Sequence, residues 1–563
     1  MGLEMTVAQA IAEGLVRHGV EVMFSQSLPS AVLLAAEALG IKQFSYRTEN
    51  AGTAMADGYA RISGKVPVVT AQNGPAATLL VPGLAEALKS SVPIVAIVQE
   101  VNVTQADKNA FQEFDHISLF QSCTKWVRTL NDPERVLDYL DMAFTIAATG
   151  RPGPVALLLP ADLLNRTIQV DGTRRATLGF FPLDRSIADP ARIAEAADLL
   201  AGAERPLIIA GGGVHLSNAH AEMAALQENA GIPVITTLMG KGSVDERHPL
   251  SMGLSGYAMG KLAPGRHMRQ IVETADVILL VGTRTNQNGT DSWSLYPRGA
   301  RYIHIDVDGA EIGRNYEALR LTGDAKLTLA EISKRLTGRR RTNSDAAAAI
   351  AQARKQHQED MRSILAGSNG LARPERLMQS LQEVLTPESI VVADASYSSL
   401  WIGCYLLAQN AGARFITPRG LAGLGWGLPL AMGAKIARPN ATVFGVVGDG
   451  GFGHVWSELE TMIRMRTPVV LTVLNNGILG YQKHAENAKF GAHTTACYFA
   501  PVDHAAIARA CGCHGIRVEN ASDYAEALRD ALAQDGPSLI DVMTDPTAFP
   551  PVTLFDKLDG DGS

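Results

Sequence analysis

Short apolar runs rich in β-branched residues recur along the chain, and turn residues such as Gly, Pro, Asp and Ser bound each run. Runs of this length and composition are typical of strands buried on both faces of a parallel sheet. The longer segments between them carry apolar residues at helical spacing, so strands and helices should alternate as in doubly wound α/β folds. The predicted strands are residues 21–24, 66–70, 93–98, 155–160, 206–210, 233–237, 277–282, 302–307, 389–396, 443–447, 468–474 and 537–543.

These strands fall into three groups, which indicates three doubly wound parallel-sheet domains. A chain of 563 residues also exceeds what one hydrophobic core supports. We expect domains at residues 1–185, 190–340 and 365–550. Residues 341–365 are polar and rich in Ala, Gln and Arg, a composition that favours a helical linker.

Composition limits the classes of binding partner and the cellular compartment that we expect for this protein. The formal net charge is −7 and there is no long basic run, which disfavours nucleic acid and anionic membranes as partners. No apolar run approaches the length of a membrane span, and the first residues lack the pattern of a signal peptide. The 5 cysteines are scattered without the spacing of a zinc site. We therefore expect a cytoplasmic protein with small-molecule ligands.

Two polar turns follow neighbouring strands in the last group. Gly448-Asp449-Gly450 follows the run at 443–447, and Asn475-Asn476 follows the run at 468–474, with a helix predicted between them. The carboxyl ends of such strands meet at one edge of the sheet, where ligands bind in doubly wound folds. A carboxylate from Asp449 and an amide oxygen from Asn476 suit Mg²⁺ held together with a diphosphate. An ordinary Gly-Asp-Gly turn is the alternative interpretation.

The spacing of these two turns resembles the thiamine-diphosphate motif, and segments along nearly the whole chain resemble the acetolactate synthase-like branch of that enzyme family. The resemblance implies pyrimidine-binding, central and diphosphate-binding domains in that order. It also implies that Asp449, Asn476 and the backbone carbonyl of Ile478 bind Mg²⁺. The other cofactor-binding residues implied in the third domain are Ser398, Ser399, Ala422, Leu424, Gly448, Gly450, Gly451, Leu479 and Gly480.

In the first domain the resemblance points to Glu49, Asn73 and Gln112. Glu49 stands where relatives have the glutamate that bonds N1′ of the aminopyrimidine in its protonated form, and burial would favour that proton. Asn73 lies in a strand-to-helix turn similar to the family's cofactor turn, and Gln112 would reach toward the thiazolium and substrate. The alternatives are a helix-start carboxylate for Glu49 and a solvated loop residue for Gln112. Thr48 replaces the histidine that most relatives have.

The central domain carries loops similar to those that bind FAD in acetolactate synthases. They are residues 211–213, 237–240, 282–284 and 306–311. The stretch that follows Arg284, Thr-Asn-Gln-Asn-Gly, departs from the acidic and arginine-containing run expected in an FAD-binding relative. FAD is therefore one candidate for this domain, and a purely structural domain or another adenine-nucleotide site is the alternative.

Taken together, the resemblance implies an Mg²⁺-dependent enzyme that decarboxylates a 2-oxo acid and can join the product to an acceptor. A simple 2-oxo acid decarboxylase and a C–C bond hydrolase or lyase of the same family remain alternatives, as does a catalytically silent nucleotide-binding subunit. Ala485 replaces the tryptophan that helps relatives to sort acceptors, so the resemblance does not indicate a substrate. It does imply a homodimer or homotetramer with active sites at the dimer interface.

Overall fold

The computed structural model describes residues 3–170, 172–339, 344–366 and 370–558. Within these residues the chain forms three six-stranded sheets in which every neighbouring pair of strands is parallel, and helices cover the sheets. The predicted fold class, three parallel-sheet α/β domains, is confirmed. The strands are apolar and almost fully inaccessible in the middle of each sheet because helices pack on both faces.

The N-terminal domain contains eight described strands and six described helices. The strands are β1 Leu3–Thr6, β2 Val22–Ser25, β3 Lys42–Ser45, β4 Val68–Ala71, β5 Val95–Glu100, β6 Trp126–Thr129, β7 Val155–Pro160 and β8 Thr167–Val170. The helices are α1 Val7–Arg17, α2 Ser30–Ala38, α3 Glu49–Ser63, α4 Pro75–Ser90, α5 His116–Gln121 and α6 Val136–Ala148. The sheet order is β3-β2-β4-β5-β7-β6, and β1 pairs with β8 in a separate antiparallel ribbon.

The central domain has the sheet order β11-β10-β9-β12-β13-β14. Its strands are β9 Pro206–Ala210, β10 Val234–Thr236, β11 Ser251–Leu254, β12 Val277–Val281, β13 Arg301–Asp306 and β14 Ala318–Thr322. Its helices are α7 Pro190–Gly202, α8 Gly213–Leu216, α9 His220–Ala230, α10 Arg269–Glu273 and α11 Ala325–Arg335. A long helix, α12 Ser344–Ala366, leads to the next domain. It covers most of the predicted helical linker, whose residues 341–343 lie outside the described residues.

The C-terminal domain has the sheet order β16-β15-β17-β18-β20-β19. Its strands are β15 Ile390–Ala393, β16 Arg414–Ile416, β17 Val443–Gly448, β18 Val470–Asn475, β19 His514–Val518 and β20 Ser538–Met543. Its helices are α13 Pro374–Val384, α14 Tyr397–Tyr405, α15 Gly427–Ala437, α16 Asp449–Phe452, α17 Glu458–Arg464, α18 Gly480–Phe490, α19 His504–Ala510 and α20 Tyr524–Leu532.

The N-terminal and C-terminal sheets share one topology. Counted from the first strand of each parallel sheet, both have the order 2-1-3-4-6-5, whereas the central sheet has the order 3-2-1-4-5-6. In the central order the chain direction across the sheet reverses once, whereas in the terminal order it reverses next to the first strand and again at the last pair of strands. Ligands of doubly wound folds bind in the crevice next to the first strand. For the C-terminal sheet that crevice lies between the carboxyl ends of β15 and β17.

The two terminal domains are packed together through α3 and α15. A methyl group on Gly58 would overlap the carbonyl oxygen of Leu430, and one on Gly433 would overlap that of Met55, so the two helix backbones touch directly. One hydrophobic cluster continues across this contact from the N-terminal sheet to the C-terminal sheet. Glu49, at the start of α3, and Leu424, in the loop before α15, are therefore held near the junction of the two domains.

Candidate active site

A cavity of about 450 Å³ lies at the carboxyl ends of β15, β17 and β18. It occupies the crevice at which the order of the C-terminal sheet reverses, as expected for a ligand site in this topology. Residues predicted from four separate stretches of sequence line it together. They are Ser398, Leu424, Gly448, Asp449, Gly450, Gly451, Asn476, Ile478, Leu479 and Gly480.

Asp449 is a buried carboxylate at the start of α16. One of its oxygens accepts the backbone N–H of Gly477, at 2.9 Å. Burial raises the pKa of Asp449 to about 6. Within the described part of the chain, no Lys, Arg or His side chain forms an ion pair with it. A buried carboxylate without a cationic partner is costly, and a bound cation would remove that cost.

Asn476 and Ile478 are held beside Asp449 by a tight turn. The amide oxygen of Asn476 accepts the backbone N–H of Ile478 at 3.2 Å, and Ile478 forms an isolated bridge with Tyr498. No group of three or more His, Cys, Asp or Glu side chains that could hold a metal ion occurs among the residues described. The predicted donors are instead one carboxylate, one amide and one backbone carbonyl, all hard oxygen ligands of the kind Mg²⁺ takes.

Backbone rather than side chains forms much of the cavity wall. A methyl group on Gly451 would overlap the Asp394 carboxylate, which accepts the backbone N–H groups of Gly425 and Trp426 at 2.9 and 3.0 Å. Asp394 thereby joins the end of β15 to the turn before α15. Asp394 is not among the site residues predicted from sequence, although its position directly after a central strand is a signal for a functional polar residue.

Ser398 and Ser399 have different surroundings. Ser398 lines the cavity, whereas the hydroxyl of Ser399 donates to the carbonyl of Ser396 at 2.8 Å and does not line it. Leu424 also lines the cavity and is 36% exposed. Ala422 lies outside the cavity wall with a positive φ of 61°, a backbone conformation that favours glycine and so accounts for the glycine in relatives.

Glu49 is the first residue of α3 and is buried. Burial raises its pKa above the ordinary value for a glutamate. Thr48 is the helix N-cap, and its side chain accepts the backbone N–H of Ala51 at 3.3 Å. Burial of the Glu49 carboxyl group favours its protonated form, against the opposite effect of the helix start.

Asn73 and Gln112 meet in a second group at the end of β4. The Asn73 amide donates to the carbonyl of Gln112 at 3.0 Å, and Gln72 donates to the Gln112 side chain at 2.7 Å. His116 accepts the backbone N–H of Gly74 and bonds Glu100, each at 2.9 Å, so both of its ring nitrogens have partners. The group fixes the conformation of the Gln112 loop.

Glu49, Asn73 and Gln112 are not among the described residues that line the Asp449 cavity. The structure of one chain therefore separates the predicted site residues into a C-terminal group and an N-terminal group. Large apolar side chains next to both groups face solvent in the single chain: Phe111 is 83% exposed and Leu421 is 57% exposed. Exposed apolar surface of this kind is typical of a face that another chain covers.

The central domain has its own cavity at the crevice where the order of its sheet reverses. Gly212, Gly213, Arg284 and Asp306 line it. Burial raises the pKa of Asp306 to about 6. Arg151, contributed by the N-terminal domain, also lines this cavity and forms an ion pair with Glu311 at 3.0 Å. A glycine turn with an acidic side chain after a later strand is an arrangement that suits a nucleotide.

Comparison with known proteins agrees with this arrangement. Residues 5–119 match the N-terminal TPP binding domain of thiamine pyrophosphate enzymes, residues 193–332 match their central domain, and residues 394–542 match their C-terminal TPP binding domain. The chain belongs to the thiamine pyrophosphate enzyme family. The resemblance is thereby confirmed, and the ten predicted residues that line the Asp449 cavity all fall within the match to the C-terminal TPP binding domain.

Curated relatives place the chain in one branch of this family. A probable acetolactate synthase large subunit from Methanococcus aeolicus is 33% identical over 97% of this chain and 93% of its own length. An acetolactate synthase from Arthrospira platensis is 32% identical over 96% of this chain and 94% of its own length. The protein is thus an acetolactate synthase-like, thiamine-diphosphate-dependent enzyme. No helix among the described residues is long and apolar enough to cross a membrane.

Proposed function

We propose that the protein uses Mg²⁺ and thiamine diphosphate to decarboxylate a 2-oxo acid and to join the product to an acceptor carbonyl compound. The observation that carries this proposal is the convergence of ten predicted residues on one cavity at the switch point of the C-terminal sheet. The similarity to acetolactate synthases supports the choice of substrate class.

The residues around the cavity fit the metal and the diphosphate. Asp449, Asn476 and the carbonyl of Ile478 would hold Mg²⁺, and the buried Asp449 carboxylate is the feature that a divalent ion would neutralise. A methyl group on Gly448 would meet only the Ser398 hydroxyl, at 3.8 Å, so Gly448 leaves room for a ligand that approaches the backbone closely. The Ser398 hydroxyl would donate to the diphosphate.

In this proposal, the predicted site residues of the N-terminal domain supply the proton chemistry. Thiamine diphosphate, when bound, would supply a nucleophilic carbon and a cationic thiazolium ring able to take up the electron pair released in a decarboxylation. Glu49 holds a proton at N1′ of the aminopyrimidine, and its raised pKa supports that role. Gln112 would orient the substrate, and Leu424 would support the two rings of the cofactor from below. Thr48 offers no group for proton transfer at the position where most relatives have histidine.

We propose in addition that the active enzyme is a homodimer, or a dimer of dimers, in which Glu49 of one chain faces the Asp449 cavity of another. The separation of the two residue groups within one chain and the exposed Phe111 and Leu421 support this assembly.

For the central cavity we propose an adenine nucleotide, with FAD as the first candidate, because Gly212, Gly213 and Asp306 line it. Flavin absorbance of the purified protein and calorimetry with ADP would distinguish these ligands.

A panel of candidate substrates tests the reaction. Native mass spectrometry and calorimetry should first show thiamine diphosphate binding that requires Mg²⁺. A series of 2-oxo acids should then be assayed for CO₂ release, with every product identified. A ligated product indicates carboligation, and an aldehyde alone indicates a simple decarboxylase. Cofactor binding without turnover of any 2-oxo acid would contradict the proposal and favour a catalytically silent subunit.

A further inference from the structure

Two buried glutamates link the terminal domains in a reciprocal way. Glu86 lies on α4, which follows the third strand of the N-terminal sheet, and Glu458 lies on α17, after the third strand of the C-terminal sheet. Each carboxylate bonds backbone N–H groups in the loop after the second strand of the other domain. The two contacts therefore occupy equivalent positions in the topology that the N-terminal and C-terminal domains share.

Glu86 holds the loop of residues 420–422. The glutamate is only 1% exposed. One carboxylate oxygen accepts the N–H of Gly420 at 2.6 Å, and the other accepts those of Leu421 and Ala422 at 2.5 and 3.1 Å. The hydroxyl of Ser90 also donates to the carboxylate, at 2.7 Å. This loop leads directly to Leu424 in the wall of the Asp449 cavity.

Glu458 makes the matching contact in the opposite direction. It is fully buried, and its Oε1 accepts the N–H groups of Arg47 and Thr48 at 3.0 and 3.2 Å. Its other oxygen lies 3.3 Å from the N–H of Arg47. The next residue is Glu49, so the carboxylate fixes the chain immediately before the proposed proton-carrying glutamate.

We propose that Glu86 and Glu458 are a reciprocal pair of positioning residues. Glu86 fixes the loop that carries Leu424, and Glu458 fixes the start of α3, which carries Glu49. The assignment of Leu424 and Glu49 to the active site rests on the function proposed above, whereas the two contacts themselves do not. As a consequence, both loops acquire their active geometry only when the two terminal domains are packed together.

The Glu86 contact requires a carboxylate, whereas at Glu458 one oxygen accepts both N–H groups and the negative charge strengthens these bonds. Both oxygens of Glu86 accept from N–H groups, so a glutamine in either orientation would direct its NH₂ group toward a backbone donor. The loop N–H groups would then be buried without acceptors, or the loop would move away. A displacement of about 1 Å at a reacting group can reduce catalysis about 100-fold.

The first measurement concerns the loops and needs no cofactor. In amide hydrogen exchange monitored by mass spectrometry, Glu86→Gln should make the amides of residues 420–422 exchange about tenfold faster or more, and Glu458→Gln should do the same at residues 47–48. The matched control is Glu246→Gln. Glu246 is also buried and accepts the N–H of Ala408 across a domain boundary, but that loop carries no predicted site residue. Glu246 also pairs with the buried Lys241 at 2.7 Å, so Glu246→Gln should destabilise the protein at least as much as the other two substitutions and controls for general loss of stability. Unchanged protection in both loops would overturn the proposal.

The second measurement concerns the cofactor. Glu458→Gln should slow deuterium exchange at C2 of bound thiamine diphosphate about 10- to 100-fold while cofactor affinity changes little, because only Glu49 is displaced. Glu86→Gln should instead weaken cofactor affinity about tenfold, because the Leu424 loop is displaced. Glu246→Gln should change neither quantity. Equal effects of all three substitutions would show a general loss of stability and overturn the proposal.

Substitute variants, and the behaviour of the wild-type protein, keep the test of the two glutamates decisive. The variants Glu86→Asp and Glu458→Asp keep the charge and shorten the side chain by one methylene, and they should give the same pattern at smaller amplitude if a glutamine variant does not fold. If wild-type protein fails to bind thiamine diphosphate, the proposed function fails. In that case the amide exchange measurement still confirms or overturns the reciprocal contacts.

Discussion

At the scale of single residues, Asp449 is the side chain on which the metal site depends. Asp449→Ala should abolish Mg²⁺-dependent binding of thiamine diphosphate and all turnover, because the metal and phosphate charges lose their balancing carboxylate. Calorimetry with thiamine diphosphate, with and without Mg²⁺, measures this directly. An affinity equal to that of the wild type would contradict the site assignment.

Substitution of Glu49 should have the complementary effect, a loss of turnover with cofactor binding retained. Glu49→Gln keeps the size of the side chain, so cofactor and metal should bind almost as in the wild type. The amide cannot exchange a proton, and turnover should fall by about 10²- to 10⁴-fold, toward the upper end because the initiating step is lost. Deuterium exchange at C2 of the cofactor, followed by quenched-flow NMR, is the decisive measurement. Comparable rates in variant and wild type would mean that Glu49 only begins a helix.

At the scale of secondary-structure elements, the contact between α3 and α15 has no room for a side chain. Gly433→Ala should destabilise the protein by about 1–3 kcal/mol or more, because the added methyl group overlaps the carbonyl of Met55. The control is Gly202→Ala at the end of α7, where no atom lies within 4 Å of the added methyl group. Thermal unfolding of both variants should show a loss only for Gly433→Ala, and equal midpoints would argue against the tight helix contact.

At the scale of the whole molecule, the proposed shared site makes a prediction about mixtures of inactive variants. Glu49→Gln and Asp449→Ala should each be inactive alone. After subunit exchange about half of the dimers are mixed, and each mixed dimer has one intact site of two, so about a quarter of the wild-type activity should return. No recovery in subunits shown by native mass spectrometry to have exchanged would mean that each site is built from one chain.

The sequence alone determined the central strands of every sheet. The predicted runs correspond to β2, β4, β5 and β7 in the first sheet, to β9, β10, β12 and β13 in the second, and to β15, β17, β18 and β20 in the third. These strands have neighbours on both sides and helices on both faces, so they must be continuously apolar. The sequence also indicated Asp449 and Asn476, because polar residues directly after buried strands meet at one sheet edge.

Only the tertiary structure revealed the edge strands β3, β6, β11, β14, β16 and β19. An edge strand pairs on one side only, and most of these are partly exposed, so they carry no continuous apolar run. The tertiary structure also decided which distant segments meet. The bonds from Glu86 to residues 420–422 join positions more than 300 residues apart, and no local pattern encodes such a pairing, because it depends on how two completed domains pack.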